Sequence, residues 1–116
     1  MKLERNSFFC TQNSKIMQFV ITAYDGEGML AKRMEVRPLH FEGMEKMKKH
    51  LISAGGMLDE EGNLKGSVLI MEFDNREELD AYLSNEIYVK ERVWDKNTIE
   101  RMNVAYALGE RYDNNK

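Results

Sequence analysis

The sequence predicts an α+β domain whose elements follow the order β-α-β-β-α-β. Three observations indicate this order: a strand-like alternation over residues 17–24, an apolar stripe at helical spacing after it, and a nearly continuous apolar segment over residues 66–73. This is the order of a ferredoxin-like domain, in which an antiparallel sheet carries both helices on one face. The other sheet face must also be covered, and face-to-face pairing of two copies would cover it.

The first helix is predicted over residues 37–54. Pro38 suits a first helical turn, because the N–H that proline lacks has no partner there. Residues at helical spacing form one apolar stripe: His40, Met44, Met47, Leu51 and Ala54. Gly55 and Gly56 are expected to end the helix, since glycine readily adopts the left-handed conformation of a helix C-cap.

The second half of the chain again places strands before a helix. A short strand near residues 57–58, a polar hairpin over residues 59–63 and the strand over residues 66–73 come first. Asp74 is predicted to cap the second helix with Glu77 as its capping-box partner. A short helix then restarts over residues 84–89, and the last strand is expected over residues 98–106.

The chain divides into three predicted segments: an N-terminal extension over residues 1–16, one folded domain over residues 17–108, and a charged C-terminal tail over residues 109–116. A single domain is what a length of 116 residues predicts. The extension is polar and aperiodic, which is typical of a disordered segment or of sequence upstream of a true start at Met17. Both interpretations remain open at this point.

Composition limits the possible partners and compartments. The net charge is −3 with both signs mixed along the chain, which gives no electrostatic case for a nucleic-acid or membrane partner. Cys10 is the single cysteine, so an internal disulfide is impossible and we expect a cytoplasmic location. The two histidines do not have metal-ligand spacing, and a glycine-rich phosphate loop is absent, so neither a metal nor a cofactor is expected.

His40 is the candidate catalytic residue. It lies on the apolar stripe in the first turn of the predicted helix, so its ring should point toward the sheet, and imidazole is the side chain best suited to proton transfer near neutral pH. Asp25, at the end of the first strand, could accept a hydrogen bond from one ring nitrogen and fix the tautomer. The plainer alternative is a core histidine with satisfied hydrogen bonds.

Four further residues are candidates for substrate binding. Arg33 and Arg37 lie in the loop that would enter the helix, and with the helix N-terminus they would suit a carboxylate or an enolate-like anion. Surface arginines paired with nearby acids are the alternative. Ser67 offers a hydroxyl on the central strand, and Glu86 offers a carboxylate or a cap for the short helix that follows it.

The residues quoted so far resemble the YCII-related family. The resemblance rests on the sequence MQFVITAYD over residues 17–25, the Lys32-Arg33 pair and the sequence VRPLH over residues 36–40, and it resumes at Gly66-Ser67. It implies a ferredoxin-like dimeric α/β barrel with a His–Asp pair in a pocket, carried here by His40 and Asp25 with Ser67 nearby. The family's usual Asp-Pro-Tyr is replaced by Glu-Ile-Tyr over residues 86–88.

Relatives in that family resemble muconolactone isomerases and a dehydrochlorinase, in which proton transfer drives isomerisation or elimination. The first hypothesis is therefore a small cofactor-free lyase or isomerase that uses the His40–Asp25 pair on a small anionic or phenolic substrate. The second is a non-catalytic module that binds or senses a small molecule in the same pocket. Both assume a homodimer, which could assemble further. A third possibility is an interaction scaffold, with Trp94 and Tyr106 as interface anchors.

Overall fold

The computed structural model describes residues 16–114, which form a four-stranded sheet, a helical layer and a small two-stranded sheet. The extension predicted for residues 1–16 lies, apart from Ile16, outside the described residues. The elements in chain order are β1 (Met17–Asp25), α1 (Leu30–Lys46), a 3₁₀-helix (Lys48–His50), β2 (Leu51–Leu58), β3 (Leu64–Phe73), α2 (Arg76–Asn85), α3 (Ile87–Lys90), β4 (Trp94–Met102), β5 (Tyr106–Ala107) and β6 (Glu110–Arg111).

The four-stranded sheet has the strand order β2-β3-β1-β4, and each neighbouring pair is antiparallel. At its centre, Ile21 of β1 lies opposite Leu69 of β3 on one side and Ile99 of β4 on the other. The predicted ferredoxin-like α+β fold is therefore confirmed. The alternation that predicted β1 and β3 follows from the two-residue period of a strand with one face on the core.

The core lies between this sheet and the helices. Alternate residues of the two central strands face the helical layer and are almost fully buried: Phe19, Ile21, Ala23, Leu69, Met71 and Phe73. The helices add their own buried residues to the same cluster: Val36, Met44, Leu79 and Tyr82. Complete burial of a large apolar side chain contributes roughly 1.5–3 kcal/mol, so packing against the sheet holds the helices more than their intrinsic propensity does.

The first helix begins and ends earlier than the sequence predicted. It starts at Leu30, so Pro38 lies inside α1 and does not begin it. Pro38 and Met34 are both exposed, and solvent can therefore satisfy the Met34 carbonyl that loses its helical partner. One buried face holds the helix together across the proline, and it consists of Arg33, Val36, His40 and Met44.

The residues predicted to finish that helix form an edge strand. Leu51, Ala54, Gly55 and Gly56 belong to β2, which pairs with β3. Two adjacent glycines weaken a helix, whereas the ladder to β3 satisfies their backbone groups. The prediction that residues 51–54 are helical was therefore wrong, because hydrogen bonding to a distant strand decides their structure.

Two other element boundaries move by a few residues. Asn75, and not Asp74, caps α2, since the Asn75 side chain accepts a hydrogen bond from the Glu78 N–H at 2.9 Å. The last strand of the large sheet, β4, begins at Trp94 and ends at Met102, ahead of the predicted range.

The residues after β4 return to the sheet. The charged tail predicted from Gly109 contains β6, which pairs with β5 in a short hairpin. Beyond it, Tyr112 Oη donates to Glu72 Oε2 at 2.9 Å, and Gln18 Nε2 donates to Asn114 Oδ1 at 2.6 Å. The segment is therefore attached to the ends of the two central strands, β1 and β3, as far as the structure describes it.

The sheet face opposite the helices is only partly covered. Its central residues alternate with the core residues and are half-buried: Val20, Thr22, Val68 and Ile70. Tyr24 on the same face is 48 % exposed. No helix within residues 16–114 has the length and apolar character to cross a bilayer.

Candidate functional site

His40 and Glu86 form a buried hydrogen-bonded pair. His40 lies in the interior of α1 on its buried face, and its Nδ1 is 2.7 Å from Glu86 Oε1. Glu86 caps the short helix α3 by accepting a hydrogen bond from the Tyr88 N–H at 3.2 Å. Its second oxygen, Oε2, accepts a hydrogen bond from Tyr82 Oη. Three donors thus converge on one carboxylate.

The charge on Glu86 determines which nitrogen of His40 carries the proton. Burial opposes ionisation of this carboxyl, but the hydrogen bonds from His40, Tyr82 and the Tyr88 backbone outweigh that effect and lower its pKa. An ionised carboxylate only accepts hydrogen bonds, so His40 Nδ1 must donate. In the neutral imidazole, Nε2 is then the nitrogen with a free lone pair, as a general base requires.

Asp25 pairs with Arg33. Arg33 Nη1 donates to both carboxylate oxygens of Asp25, at 2.9 and 3.0 Å, and its Nη2 donates to Ser67 Oγ at 2.9 Å. The two charged side chains are 4 % and 7 % exposed. Burial raises the pKa of Asp25, and the Arg33 hydrogen bond and charge offset only part of that rise. Beside Arg33, the Leu64 side chain packs against Gly56, where a Cβ would collide with Leu64 Cδ2 and lie 3.5 Å from Arg33 Nη2.

The predicted hydrogen bond between His40 and Asp25 is therefore replaced by two separate acid–base pairs. Arg33 was expected in a loop, but it lies in the first turns of α1, close to the end of β1, where its guanidinium engages Asp25. Glu86 approaches His40 from α3. The helix N-terminus was expected to favour anions near His40, but His40 lies too far inside α1 for that contribution.

Tyr88 separates the two pairs. Its ring stacks on the His40 ring with centroids 4.0 Å apart and planes 11° from parallel. The Arg33 guanidinium also lies over the Tyr88 ring, with its central carbon 4.8 Å from the ring centroid. Trp94 packs edge-on against Tyr88, with ring centroids 5.7 Å apart. This packing leaves the His40 ring little freedom to turn.

A cavity of about 540 Å³ opens between α1 and the edge strand β2 beside these residues. Four of the predicted site residues line it: Arg33, Arg37, His40 and Ser67. Tyr88 lines it as well, and the guanidinium of Arg37 lies over the Phe41 ring at 4.9 Å. Asp25 and Glu86 do not line this cavity but touch residues that do. The volume suits a small molecule.

Glu86 also borders a second cavity. This groove of about 590 Å³ lies between α1 and α2, and Tyr82, Glu86, His50 and Phe73 are among its lining residues. His50, the other histidine, stacks on Phe73 and its Nδ1 lies 3.0 Å from the Glu72 carbonyl oxygen. The histidines therefore belong to different cavities. Within residues 16–114, no three His, Cys, Asp or Glu side chains come together in a way that could hold a metal ion.

Sequence reasoning missed the roles of Tyr82 and Tyr88. Tyr82 was not among the predicted site residues, and its hydrogen bond to Glu86 spans one helical turn. Tyr88 follows Glu86 by two residues, and the Glu-Ile-Tyr sequence was the available signal for it. The stacking of Tyr88 on His40, and the link from Tyr82 through Glu86 to His40, become visible only when it is known which residues of α1 share the buried face.

Comparisons with known proteins support this fold. No curated protein matches the chain. Among solved structures, 5-chloro-2-hydroxyhydroquinone dehydrochlorinase (TftG) from Burkholderia phenoliruptrix AC1100, in complex with 2,5-dihydroxybenzoquinone, is 26% identical, with a TM-score of 0.70 over 75% of this chain and 94% of that chain. An antibiotic biosynthesis monooxygenase is 14% identical, with a TM-score of 0.49 over 76% of this chain and 97% of that one. The model of the YCII-related domain matches residues 17–103, and the chain therefore belongs to the YCII-related family.

Proposed function

We propose that this chain is a small cofactor-free enzyme of the lyase or isomerase type, in which His40 transfers a proton on a small anionic or phenolic substrate. The observation that carries the proposal is the buried His40–Glu86 pair at 2.7 Å, next to a cavity that His40 itself lines. A general base needs a fixed tautomer and a lone pair that faces the substrate; the hydrogen bond to Glu86 supports the first, and the second is part of the proposal, with Nε2 directed to the cavity that His40 lines. The dehydrochlorinase with a TM-score of 0.70 adds support for this class of reaction.

The proposed step moves one proton and one electron pair. His40 Nε2 takes a proton from a substrate hydroxyl, or from a carbon next to a carbonyl, and the electron pair left behind enters the conjugated system. In a lyase that acts on a ring, His40 returns the proton to the chlorine-bearing carbon, and chloride then departs with its bonding pair while a second hydroxyl gives its proton to solvent. In an isomerase, His40 returns the proton to a different carbon. Glu86 stabilises the imidazolium that exists between the two halves of the step.

The arginines favour an anionic oxygen in the cavity. Arg37 and Arg33 lie on the same face of α1 as His40 and line the same cavity. The charge of Arg33 is already neutralised by Asp25, so Arg37 is the arginine that we propose attracts the substrate anion. Asp25 takes the role of a positioning residue that holds Arg33 and, through it, Ser67.

The test is turnover of 5-chloro-2-hydroxyhydroquinone, followed by chloride release, in the parent and in His40→Ala. A positioned base supplies about 10²–10⁴ in rate, so we expect His40→Ala to lose at least about a hundredfold with an unchanged circular dichroism spectrum. The matched control is His50→Gln, which removes the histidine of the other cavity and should keep the parental rate. Equal rates in the parent and His40→Ala would contradict the mechanism.

The second candidate is a module that binds or senses a small molecule without catalysis. It is favoured by the fact that both buried carboxylates of the site already hold partners, Asp25 with Arg33 and Glu86 with His40. Such an arrangement can hold a ligand rigidly without reacting. Saturable binding of 2,5-dihydroxybenzoquinone, with no turnover of chlorinated or unchlorinated hydroquinones, would select this candidate.

We also propose that two copies pair through the open sheet face, as a dimeric α/β barrel, and that the protein is cytoplasmic. The half-buried residues Val20, Val68 and Ile70 support the pairing, because a second sheet would remove them from water. Val68→Lys should convert a dimer to a monomer in analytical ultracentrifugation. Ala31→Lys, on the exposed side of α1, is the matched control and should remain dimeric. A monomeric parent would refute the pairing.

A further inference from the structure

Three buried hydrogen-bond donors have no partner among the side chains of residues 16–114. They are Arg33 Nε, Tyr88 Oη and Trp94 Nε1. All three side chains belong to one cluster, in which Tyr88 touches both of the others. A buried polar atom without a partner is costly and rare in folded proteins. Three side chains with such donors, two of them packed on the Tyr88 ring, mark a region that is complementary to hydrogen-bond acceptors.

Tyr88 is the member of this cluster that a ligand of the His40 cavity can engage. Its side chain lines that cavity, and its ring is parallel to the His40 ring at 4.0 Å. Tyr88 is 0% exposed and its hydroxyl is buried, so a ligand that binds Oη must enter from the cavity and shift the side chains that cover this hydroxyl. Gly55 and Gly56 of β2 line the same cavity and carry no side chain that would fill it.

The charges around Tyr88 keep its hydroxyl a donor. Burial raises the pKa of the phenol, and the nearby Glu86 and Asp25 carboxylates act in the same direction. Arg33 and Arg37 act in the opposite direction without reversing the shift. Tyr88 therefore stays protonated near neutral pH and offers a hydrogen to an acceptor oxygen.

We propose that Tyr88 Oη donates a hydrogen bond to a second oxygen of the substrate, beside the one whose proton His40 takes. This inference rests on the proposed function and narrows its substrate class to flat conjugated molecules that carry at least two oxygens. One oxygen or acidic carbon faces His40 Nε2, and the other accepts from Tyr88. A monophenol satisfies His40 alone and should be bound less tightly.

The experiment compares two ligands with two proteins. Binding of 2,5-dihydroxybenzoquinone and of phenol is measured by isothermal titration calorimetry for the parent and for Tyr88→Phe, which removes only the hydroxyl oxygen. A hydrogen bond to a buried group corresponds to about a tenfold change in the dissociation constant. We therefore expect Tyr88→Phe to weaken the quinone about tenfold and to leave phenol unchanged. Tyr106→Phe, at an exposed tyrosine, is the matched control and should change neither ligand.

Stability measurements separate this role from a structural one. Because Tyr88 Oη has no partner in the fold, Tyr88→Phe should keep or raise the melting temperature. Equal affinity of the parent and Tyr88→Phe for the quinone would overturn the inference, as would equal weakening of both ligands or failure of the parent to bind the quinone. These results are independent of the His40→Ala turnover assay, so the inference and the proposed function can fail separately.

Discussion

Replacing Glu86 tests the buried pair most directly, because three donors depend on one carboxylate. Glu86→Ala leaves His40 Nδ1, Tyr82 Oη and the Tyr88 N–H without their acceptor inside the core. Leaving a buried donor without its acceptor typically costs about 1–3 kcal/mol per group. We expect a loss of at least this size in the free energy of unfolding, measured by urea denaturation at neutral pH. Glu42→Ala, an exposed acid on α1, should leave the stability unchanged.

Glu86→Gln separates the charge from the hydrogen bonds. The amide keeps the shape and can still accept from His40 Nδ1, so the stability loss should be about 1 kcal/mol or less. The amide cannot stabilise an imidazolium as the carboxylate does, and a charge-assisted hydrogen bond is stronger than a neutral one by roughly 1–2 kcal/mol. That difference corresponds to about a five- to thirtyfold loss in kcat. An unchanged kcat in Glu86→Gln would refute the assigned role.

The stability difference between the parent and Glu86→Gln should also depend on pH. The pKa of Glu86 is lowered in the folded protein, so its contribution is complete above the ordinary pKa near 4.5 and disappears as the pH falls through the lower, folded value. The two proteins should therefore converge in stability at acid pH. A difference that stays constant below that range would show that the charge of Glu86 does not carry the effect.

Two further variants test neighbouring contacts. Asp25→Asn should lower the free energy of unfolding by about 1–3 kcal/mol, because the buried guanidinium of Arg33 loses its counter-charge. The NMR signals of the His40 ring should stay in place, and their movement would contradict the separation of the two pairs. Burial and the hydrogen bond to Glu72 raise the pKa of Tyr112 to about 12 in the folded protein and favour its neutral form there. The parent should therefore lose stability between pH 10 and 12, and Tyr112→Phe should not show this loss. Parallel stability curves for the two proteins in that range would argue against this contact.

Sequence patterns predicted the sheet better than the helices because the sheet's period is visible locally. Phe19, Ile21 and Ala23 alternate with half-buried residues, and this alternation alone orients β1. The start of α1 was obscured by Pro38, which usually marks a first turn and here lies on an exposed side where the lost hydrogen bond is tolerated. Residues 51–56 are a strand only because β3 lies beside them, and no local pattern contains that information.

The sequence identified the site residues by their chemical type. Which of them pair with each other depends on where α1 begins and on which residues share its buried face. With the helix starting at Leu30, Arg33, Arg37 and His40 share one face, and this spacing could have been recognised had the helix been extended toward its true start. Arg33 is then close to Asp25, and His40 is left to Glu86. A prediction based on residue types alone cannot distinguish two acids that both lie within reach of one histidine.

The separation into two pairs has a chemical consequence for any proton transfer at His40. The charge of Asp25 is balanced by Arg33, whose guanidinium does not titrate, so this pair contributes the same near-zero charge throughout a reaction. Proton uptake by His40 therefore changes only the net charge of the His40–Glu86 pair, from negative to neutral. Tyr82 Oη still donates to the second oxygen of Glu86 in both states. That hydrogen bond makes Glu86 a weaker proton acceptor, so the carboxylate holds the imidazolium without taking its proton. Tyr82 is consequently as important as Glu86 for keeping the proton on His40, where the substrate can take it back.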